Sequence, residues 1–416
     1  MPGKRQPYFT KHPATVKRLK YIKLTRSLRS GGARTVRYTK SLLEQVAGVG
    51  EIVRRQGERR RPRIPYSGLL LLFAAVLAAL FISVNSQDIV VERVLVSIPG
   101  LNSDLEGYTI LHISDMHGAS FGANQSALIS ALSRYSYQAV ILSGDMVGSG
   151  GNAKPLYDLL DGLQQKRPVY FVAGDSDPNP LLDTPRDVVG NLGKYVLADW
   201  VLGAEELGAH YLNAPVSINI GSAAIWLTPT DQLFLNAETE LKRASYEVKI
   251  EEDDVKEGIP EAYVTLPFTA YRQMSLQALL NAIRVMDKDD VHIAVSHYPP
   301  TSEQITAVNK KSELNTEDVP QYIRSVDLAL AGHYCGGVWK LPFYGALFIP
   351  SINAERHGWF PAQEDVDGLK VVGNSFIFIN SGLAATDKIY LPRFRLFNNP
   401  KITLLTLTGT LTEDLL

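Results

Sequence analysis

The 416-residue chain holds a single cysteine, Cys335. An intramolecular disulfide and a zinc site built from cysteine alone are therefore excluded. No segment repeats at a period of about 20–50 residues, which removes a solenoid. Net charge is also lacking, because 42 Lys and Arg stand against 43 Asp and Glu. That balance conceals an asymmetry. Residues 1–66 carry 18 Lys and Arg but only 3 acidic residues, whereas the rest of the chain carries 24 and 40. Apolar residues make up 45% and charged residues 20%, the balance of a chain that packs rather than one that stays disordered.

The first positive feature is a run of 17 residues, Gly68–Val84, in which only Ser83 is polar. As a helix it is about 26 Å long, close to the ~30 Å hydrocarbon core of a bilayer. A buried core helix usually keeps a polar stripe, and this run has none. The chain then divides into a basic arm (1–66), a transmembrane helix (67–87) and a large domain (88–416). Arg54, Arg55, Arg59, Arg60, Arg61 and Arg63 crowd one flank of the run, and Asn85, Ser86, Gln87 and Asp88 begin the other. Positive flanks stay in the cytoplasm. The expected arrangement is a single pass through the plasma membrane, arm inside and domain outside. Attraction to anionic lipid accounts for the remaining basic residues of the arm without a nucleic-acid partner.

Beyond the run, apolar β-rich segments alternate with helical patterns. Strands are expected at Ile89–Ile98, Tyr108–Ile113, Ala139–Ser143, Val169–Ala173, Val216–Ile220, Ala224–Leu227, Val291–Ser296, Leu328–Ala331, Phe376–Ile379 and Ile402–Thr408. Helices are expected at Asn124–Tyr135, Pro155–Gln164, Arg186–Tyr195 and Met274–Val285. The early part is β-α-β-α-β with lengths that suit parallel units. The later strands, without intervening helices, suggest a second, mixed sheet. The charge run within Glu240–Gly258 is expected to be a solvated loop or insertion.

Five of these strands end in residues that bind metals. They lead into Ser114-Asp115-Met116-His117, Gly144-Asp145, Gly174-Asp175-Ser176-Asp177, His297-Tyr298-Pro299 and Gly332-His333-Tyr334-Cys335-Gly336-Gly337. Ligands of open α/β sheets collect beyond the carboxyl ends of strands, so the five ends are expected to form one cluster. Two divalent ions about 3.5–4 Å apart can hold both oxygens of an in-line phosphoryl displacement, and they need such donors from several strands. Ser176 lacks a glycine two residues later, which argues against a serine hydrolase. His112 and His292 alternate with apolar neighbours and are expected to be core residues. His210 and His357 lie outside the motifs.

This ordered set resembles the calcineurin-like metallophosphoesterase family over Arg93–Leu407. The segments IPGLNSDLEGYTILHISDMHG, DLALAGHYCGGVWKLPFYGALFIPS and LPRFRLFNNPKITLLTL resemble its membrane-anchored bacterial members in particular. The resemblance implies an α/β fold, a two-sheet β-sandwich flanked by helices, with a dimetal site at one edge. It implies a metal-activated hydroxide that attacks a phosphomonoester, phosphodiester or pyrophosphate. Asp115, His117, Asp145 and Cys335 would hold one metal. Asp145, Asp175, His297 and His333 would hold the other, with Asp145 bridging. Asn380 and Ser381 are candidate substrate contacts. The expected substrate is lipid- or cell-wall-linked.

Three positions depart from the family pattern. Asp175 stands for asparagine, Cys335 for histidine, and Ser176 for the histidine that assists the leaving group; Val338 also stands where the subgroup often has glutamine. Asp177, next to the missing histidine, is either a substitute acid or a turn residue. Extra carboxylate and thiolate donation weakens the ions as Lewis acids and shifts preference toward zinc or iron, with manganese the third expected metal. The alternative function is a metallophosphoesterase-fold binding or signalling module with impaired catalysis.

Overall fold

The computed structural model describes residues 66–85, 88–163, 167–186, 196–315, 321–349, 358–386 and 395–410. Nearly all of the basic arm, most of the helix expected at Arg186–Tyr195, and His357 lie outside the described residues. The chain forms two units, Met1–Ala75 and Val76–Leu416. The described part of the first is the opening half of α1 (Tyr66–Asn85), a 20-residue helix with Leu69, Leu70, Leu71, Leu72 and Phe73 exposed. Side chains are described over residues 67–81 of α1, about 22 Å of helix. Among the described residues no helix is long and apolar enough to cross a membrane.

The rest belongs to the second unit. Its elements begin with β1 (Val90–Ser97), β2 (Thr109–Ile113), α2 (Ser126–Leu132), β3 (Ala139–Ser143), α3 (Lys154–Gly162), β4 (Val169–Val172), α4 (Asp199–Glu206) and β5 (Ala209–Tyr211). They continue with β6 (Val216–Ile220), β7 (Ala223–Pro229), α5 (Ala237–Lys256), α6 (Pro260–Val285), β8 (Val291–Val295), α7 (Ser302–Ser312) and β9 (Leu328–Ala331). The last are β10 (Trp339–Leu341), β11 (Gly345–Ile349), β12 (Gly358–Trp359), β13 (Gly368–Val372), β14 (Ser375–Ile379) and β15 (Lys401–Thr408).

One six-stranded sheet has the order β1-β15-β2-β3-β4-β5, and a second has β13-β14-β9-β8-β7-β6. In the first, β2, β3, β4 and β5 run parallel and β15 is antiparallel to β2. The second is mixed, with β7, β8, β9 and β14 parallel and β6 and β13 antiparallel at its edges. Alternation along β2 divides the layers. Ile110 joins Ile141, Ile293, Leu330 and Phe378 between the sheets, whereas Leu111 and Ile113 face Leu128, Leu156 and Trp200. Ala294, Ala329 and Ile377 pack the far face of the second sheet against Leu276, Leu279 and Ile305. This is a mixed α/β fold in which helices flank two packed sheets.

Two expectations need correction. The charge run is helix α5, capped by the Asn236 side chain, which accepts from Thr239 N at 3.0 Å. Lys242–Glu238 and Arg243–Glu247 pairs at i,i+4 support it on its solvated face, so dense alternating charge favoured a helix here. Helices also do intervene in the second sheet. The pattern found only the end of α6 and missed α7, whose Thr301/Gln304 capping box is a readable start signal.

His112 and His292 are both core residues. His112 Nε2 lies 2.7 Å from Ser143 Oγ, and His292 Nε2 lies 2.9 Å from Thr228 Oγ1. Burial pushes their pKa values down to about 3 and about 4. Unfolding releases both rings to an ordinary value near 6.5, so the unfolded chain binds more protons below that pH. Stability is retained above pH 6.5 and lost as pH falls toward the folded values. Each ring contributes a slope of about 1.4 kcal/mol per pH unit. Urea melts of His112→Gln against the parent between pH 6 and 5 are expected to show a slope shallower by that amount.

Candidate metal centre

The ends of β2, β3, β4, β8 and β9 bring the expected donors together. Asp115, His117 and Cys335 form one group whose ligand atoms lie within 4.8 Å of one another. Asp175, His297 and His333 form a second, and Asp115, Asp145 and His297 a third that overlaps both. Asp145 sits between the first two groups. Its Oδ2 is 3.7 Å from His117 Nε2 and 3.2 Å from His297 Nε2. On one side, Cys335 Sγ lies 3.6 Å from Asp115 Oδ1 and 3.7 Å from His117 Nε2. On the other, Asp175 Oδ1 lies 3.2 Å from His297 Nε2 and 3.5 Å from His333 Nδ1. Asp115, Asp145, His297, His333 and Cys335 are all buried.

The backbone bends sharply to achieve this. Asp115, His117, Asp145, His333 and Cys335 all have positive φ, between 48° and 78°. Non-glycine residues adopt that region rarely and at a cost, and such strain persists where a site requires it. Glycines allow the close approach. A Cβ on Gly174 would run into the Asp145 carboxylate, and one on Gly144 would lie 2.8 Å from His297 Cβ. His333 N donates to both Asp115 oxygens at 3.0 and 3.1 Å, and Ser176 N donates to Asp145 Oδ1 at 2.7 Å.

One bond tests whether these residues fit a metal. His297 Nδ1 is 3.0 Å from the Ser143 carbonyl, which can only accept. The proton is thus on Nδ1, and Nε2 presents a lone pair toward Asp145 Oδ2, Asp175 Oδ1 and His333 Nδ1 at 3.1–3.2 Å. With carboxylates on two sides of that lone pair, an added proton or a cation relieves the repulsion. A histidine that donates one nitrogen to a carbonyl and aims the other at carboxylates is the usual arrangement of a metal ligand. The donors fit. The residues on the two sides of Asp145 would hold divalent ions, supplying oxygen, nitrogen and sulfur.

Without a metal, protons do this work. Burial opposes charge on His297, but hydrogen bonds to Asp145 and Asp175 outweigh it and hold its pKa well above the ordinary value. Burial would raise Asp145, yet the hydrogen bond and charge of His297, then His117, hold it low. Burial, followed by the charge of Asp115, pushes the Cys335 thiol well above its ordinary range. The thiolate assumed from the sequence therefore requires a cation to displace its proton.

Other assignments change. Asp177 is not placed to act as an acid. Its carboxylate accepts from the backbone N–H groups of Met146, Val147, Gly148 and Gly174 at 2.7–3.3 Å, tying two metal-bearing loops together. Ser176 keeps a buried hydroxyl without a hydrogen-bond partner. Asn380 and Ser381 are buried rather than presented to substrate: Asn380 Nδ2 donates to His112 O, and Ser381 Oγ to Asp367. Sequence reasoning missed Tyr298, whose hydroxyl donates to Asp175 Oδ2 at 2.6 Å and whose ring centroid is 4.0 Å from that of His333. Its position directly after His297 was the available signal. It also missed Asn398, which donates to the Cys335 carbonyl at 2.9 Å, and Arg395, whose charge acts on Cys335. No local pattern points from either to a residue so far back in the chain.

A cavity of about 960 Å³ opens beside the second group. Asp175, His297 and Tyr298 line it together with Tyr211, Phe268 and Arg272.

The fold and donor set define a class, two packed sheets with a candidate metal centre where five strands end. Residues 108–336 match the calcineurin-like phosphoesterase family, and the chain belongs to it. Among curated proteins, it is 30% identical over 155 residues to an uncharacterized metallophosphoesterase, YkuE, of Bacillus subtilis (strain 168). That match covers 34% of this chain and 48% of the relative, so the chain spans about half the length of the curated protein it matches. Solved structures that it resembles include a phosphopantetheinyl hydrolase (PptH) from Mycobacterium tuberculosis, with 14% identity, a TM-score of 0.32 and coverage of 67% of this chain and 91% of that one. A dimetal phosphatase from Danio rerio gives 12% identity, a TM-score of 0.32 and coverage of 67% and 88%.

Tyr298→Phe removes only the hydroxyl that holds Asp175. Loss of such a supporting bond typically weakens a metal by about 10–100-fold. Competition with a chelator, read by elemental analysis of the full chain, is expected to show the more weakly held part of the bound metal released at correspondingly lower chelator concentration.

Proposed function

We propose that the chain is a membrane-anchored phosphoesterase that uses two metal ions to hydrolyse a phosphomonoester, phosphodiester or pyrophosphate. The observation that carries the catalytic part is the position of Asp145, shared between two donor groups. Zinc, iron and manganese are the metals this oxygen, nitrogen and sulfur set favours. Bound ions supply charge to offset the phosphoryl oxygens and a water made acidic enough to attack. The chain's own residues do the positioning. Ser143 aims His297, Tyr298 holds Asp175, and Asp177 fixes the loops that carry Asp145 and Asp175. The adjoining cavity, far larger than a phosphate needs, takes the organic part of the ester.

Anchoring rests on the sequence run Gly68–Val84, on its place within the 20-residue helix α1, and on the exposed apolar side chains there. In this reading residues 1–66 are the cytoplasmic arm, 67–87 span the plasma membrane and 88–416 form the extracytoplasmic domain. That topology would group the chain with the membrane-anchored members of the family and would suit a lipid- or cell-wall-linked substrate.

One observation favours the second reading, a metal-holding module with impaired turnover. Neither Ser176 nor the fully engaged Asp177 offers a proton to a leaving group. Aryl esters, whose leaving groups need no proton, separate the two readings. Full-length protein supplied with manganese, zinc or iron is expected to hydrolyse a bis-aryl phosphodiester. Asp145→Ala should lower that rate by roughly 100-fold or more, the scale on which loss of one charge-stabilising group acts. Hydrolysis that survives Asp145→Ala, or purified protein without stoichiometric metal, would overturn the catalytic reading.

A further inference from the structure

The cavity beside the second donor group is built from both large sheets. Its lining comes from the ends of β4 and β5 in one sheet and of β7 and β8 in the other. β4 runs parallel to β5, and β7 to β8, so each pair delivers its carboxyl end to this space, where ligands of such sheets collect. Helix α6 closes it with Phe268, Tyr271, Arg272, Ser275 and Leu276. That spacing of i, i+3, i+4, i+7 and i+8 is one helix face.

The charge of this space is one-sided. Among the described lining residues only Arg272 carries a fixed positive charge, and that charge is committed. Its Nη2 lies 2.7 Å from Glu240 Oε2 and its Nη1 3.8 Å from Glu247 Oε2. Asp231 is different. It is exposed to the cavity, and burial by the surrounding walls raises its pKa, opposed by backbone hydrogen bonds at positions 231 and 232 and by no cation. Among the described residues no basic side chain pairs with it. Gln232 adds to the imbalance. Its Nε2 donates to Asn213 O at 2.7 Å and to Ser275 Oγ at 2.8 Å, which fixes the amide and leaves the buried Oε1 an acceptor without a partner. Aromatic rings share the same space. Tyr211, Phe268, Tyr271 and Tyr298 all line it, and Tyr271 and Asp231 are both close enough to Tyr211 to raise its pKa beyond what burial does.

We propose that this cavity holds a positively charged alcohol, an ammonium-bearing group esterified to the phosphate, with Asp231 as its counter-charge. The substrate class rests on the phosphoesterase reading above. A carboxylate without a cation supplies the charge, and aromatic faces attract alkylated ammonium groups through the ring quadrupole. The substrate is then zwitterionic, its phosphoryl group at the donor groups around Asp145 and its ammonium group beside Asp231. An organic part with a second phosphate or a carboxylate would meet Asp231 with Arg272 already taken, and is disfavoured. Asp231 is thus a specificity-determining residue rather than a metal ligand.

Two aryl esters isolate the charge: p-nitrophenyl phosphorylcholine and its carbon isostere, 3,3-dimethylbutyl p-nitrophenyl phosphate. Both lose the same nitrophenolate and differ only in the ammonium nitrogen. With metal-supplied full-length protein, kcat/KM is expected to favour the choline ester by about tenfold. Asp231→Asn should bring that ratio within about twofold of one, and Asp231→Glu should restore part of it. Phe268→Leu, which keeps the carboxylate and the apolar bulk, should lower the ratio about threefold. Equal rates on the two esters, or a preference that survives Asp231→Asn, overturn the cation site and leave the phosphoesterase reading standing. If neither ester is hydrolysed, saturation-transfer NMR of the same protein with choline and with 3,3-dimethylbutanol decides. Contact with choline that is lost in Asp231→Asn supports the site and counts against the phosphoesterase reading, whereas no contact with choline overturns the site as well.

Discussion

Too many lone pairs in too small a volume is the constraint on which this structure depends. Three carboxylates, three imidazoles and a thiol meet where five strands end, and a neutral His297 cannot relieve the crowding because its proton is committed to Ser143. A proton can hold such a group, but divalent cations hold it better, since each satisfies several donors at once. The fold has therefore been shaped around positive charge that it does not itself supply.

Much of the surrounding architecture keeps those donors from moving apart. Five of the seven donor residues sit in left-handed backbone conformations, a cost that the packed loops must offset. Asp177 absorbs four backbone donors to lock the β3 and β4 loops, and Asn380 spans from the end of β14 to β2. These buried polar residues gain little stability of their own. Their contribution is precision, because a metal ion tolerates little drift in its ligands.

The departures from the family pattern alter the electrostatics without emptying the site. Asp175 adds a carboxylate, but Tyr298 donates to it and so draws off part of its charge. Cys335 is buried and held protonated by its surroundings, so metal capture there must expel a proton. A thiolate donor leans toward softer ions, and each added negative charge offsets part of the positive field that bound ions would supply. Position 176 supplies no replacement acid, since Asp177 faces the backbone.

Much of this was legible in the residues alone. Strands such as Ala139–Ser143 and Leu328–Ala331 are short apolar runs each followed by a glycine, and they folded with the limits their pattern implies. Asp115, His117, Asp145, Asp175, His297, His333 and Cys335 could be named because each follows such a strand, and parallel strands deliver their carboxyl ends to one edge. The charge run of α5 misled, because solvated helices and solvated loops share a composition and differ only in the i,i+4 register of opposite charges. The sequence by itself determined the donors and their order. Only tertiary structure decided which donors face each other, that Asp177 and Asn380 serve the backbone, and that Tyr298 supports Asp175. Local pattern records what each residue prefers, whereas these contacts arise from long-range closure of two sheets, which no local preference encodes.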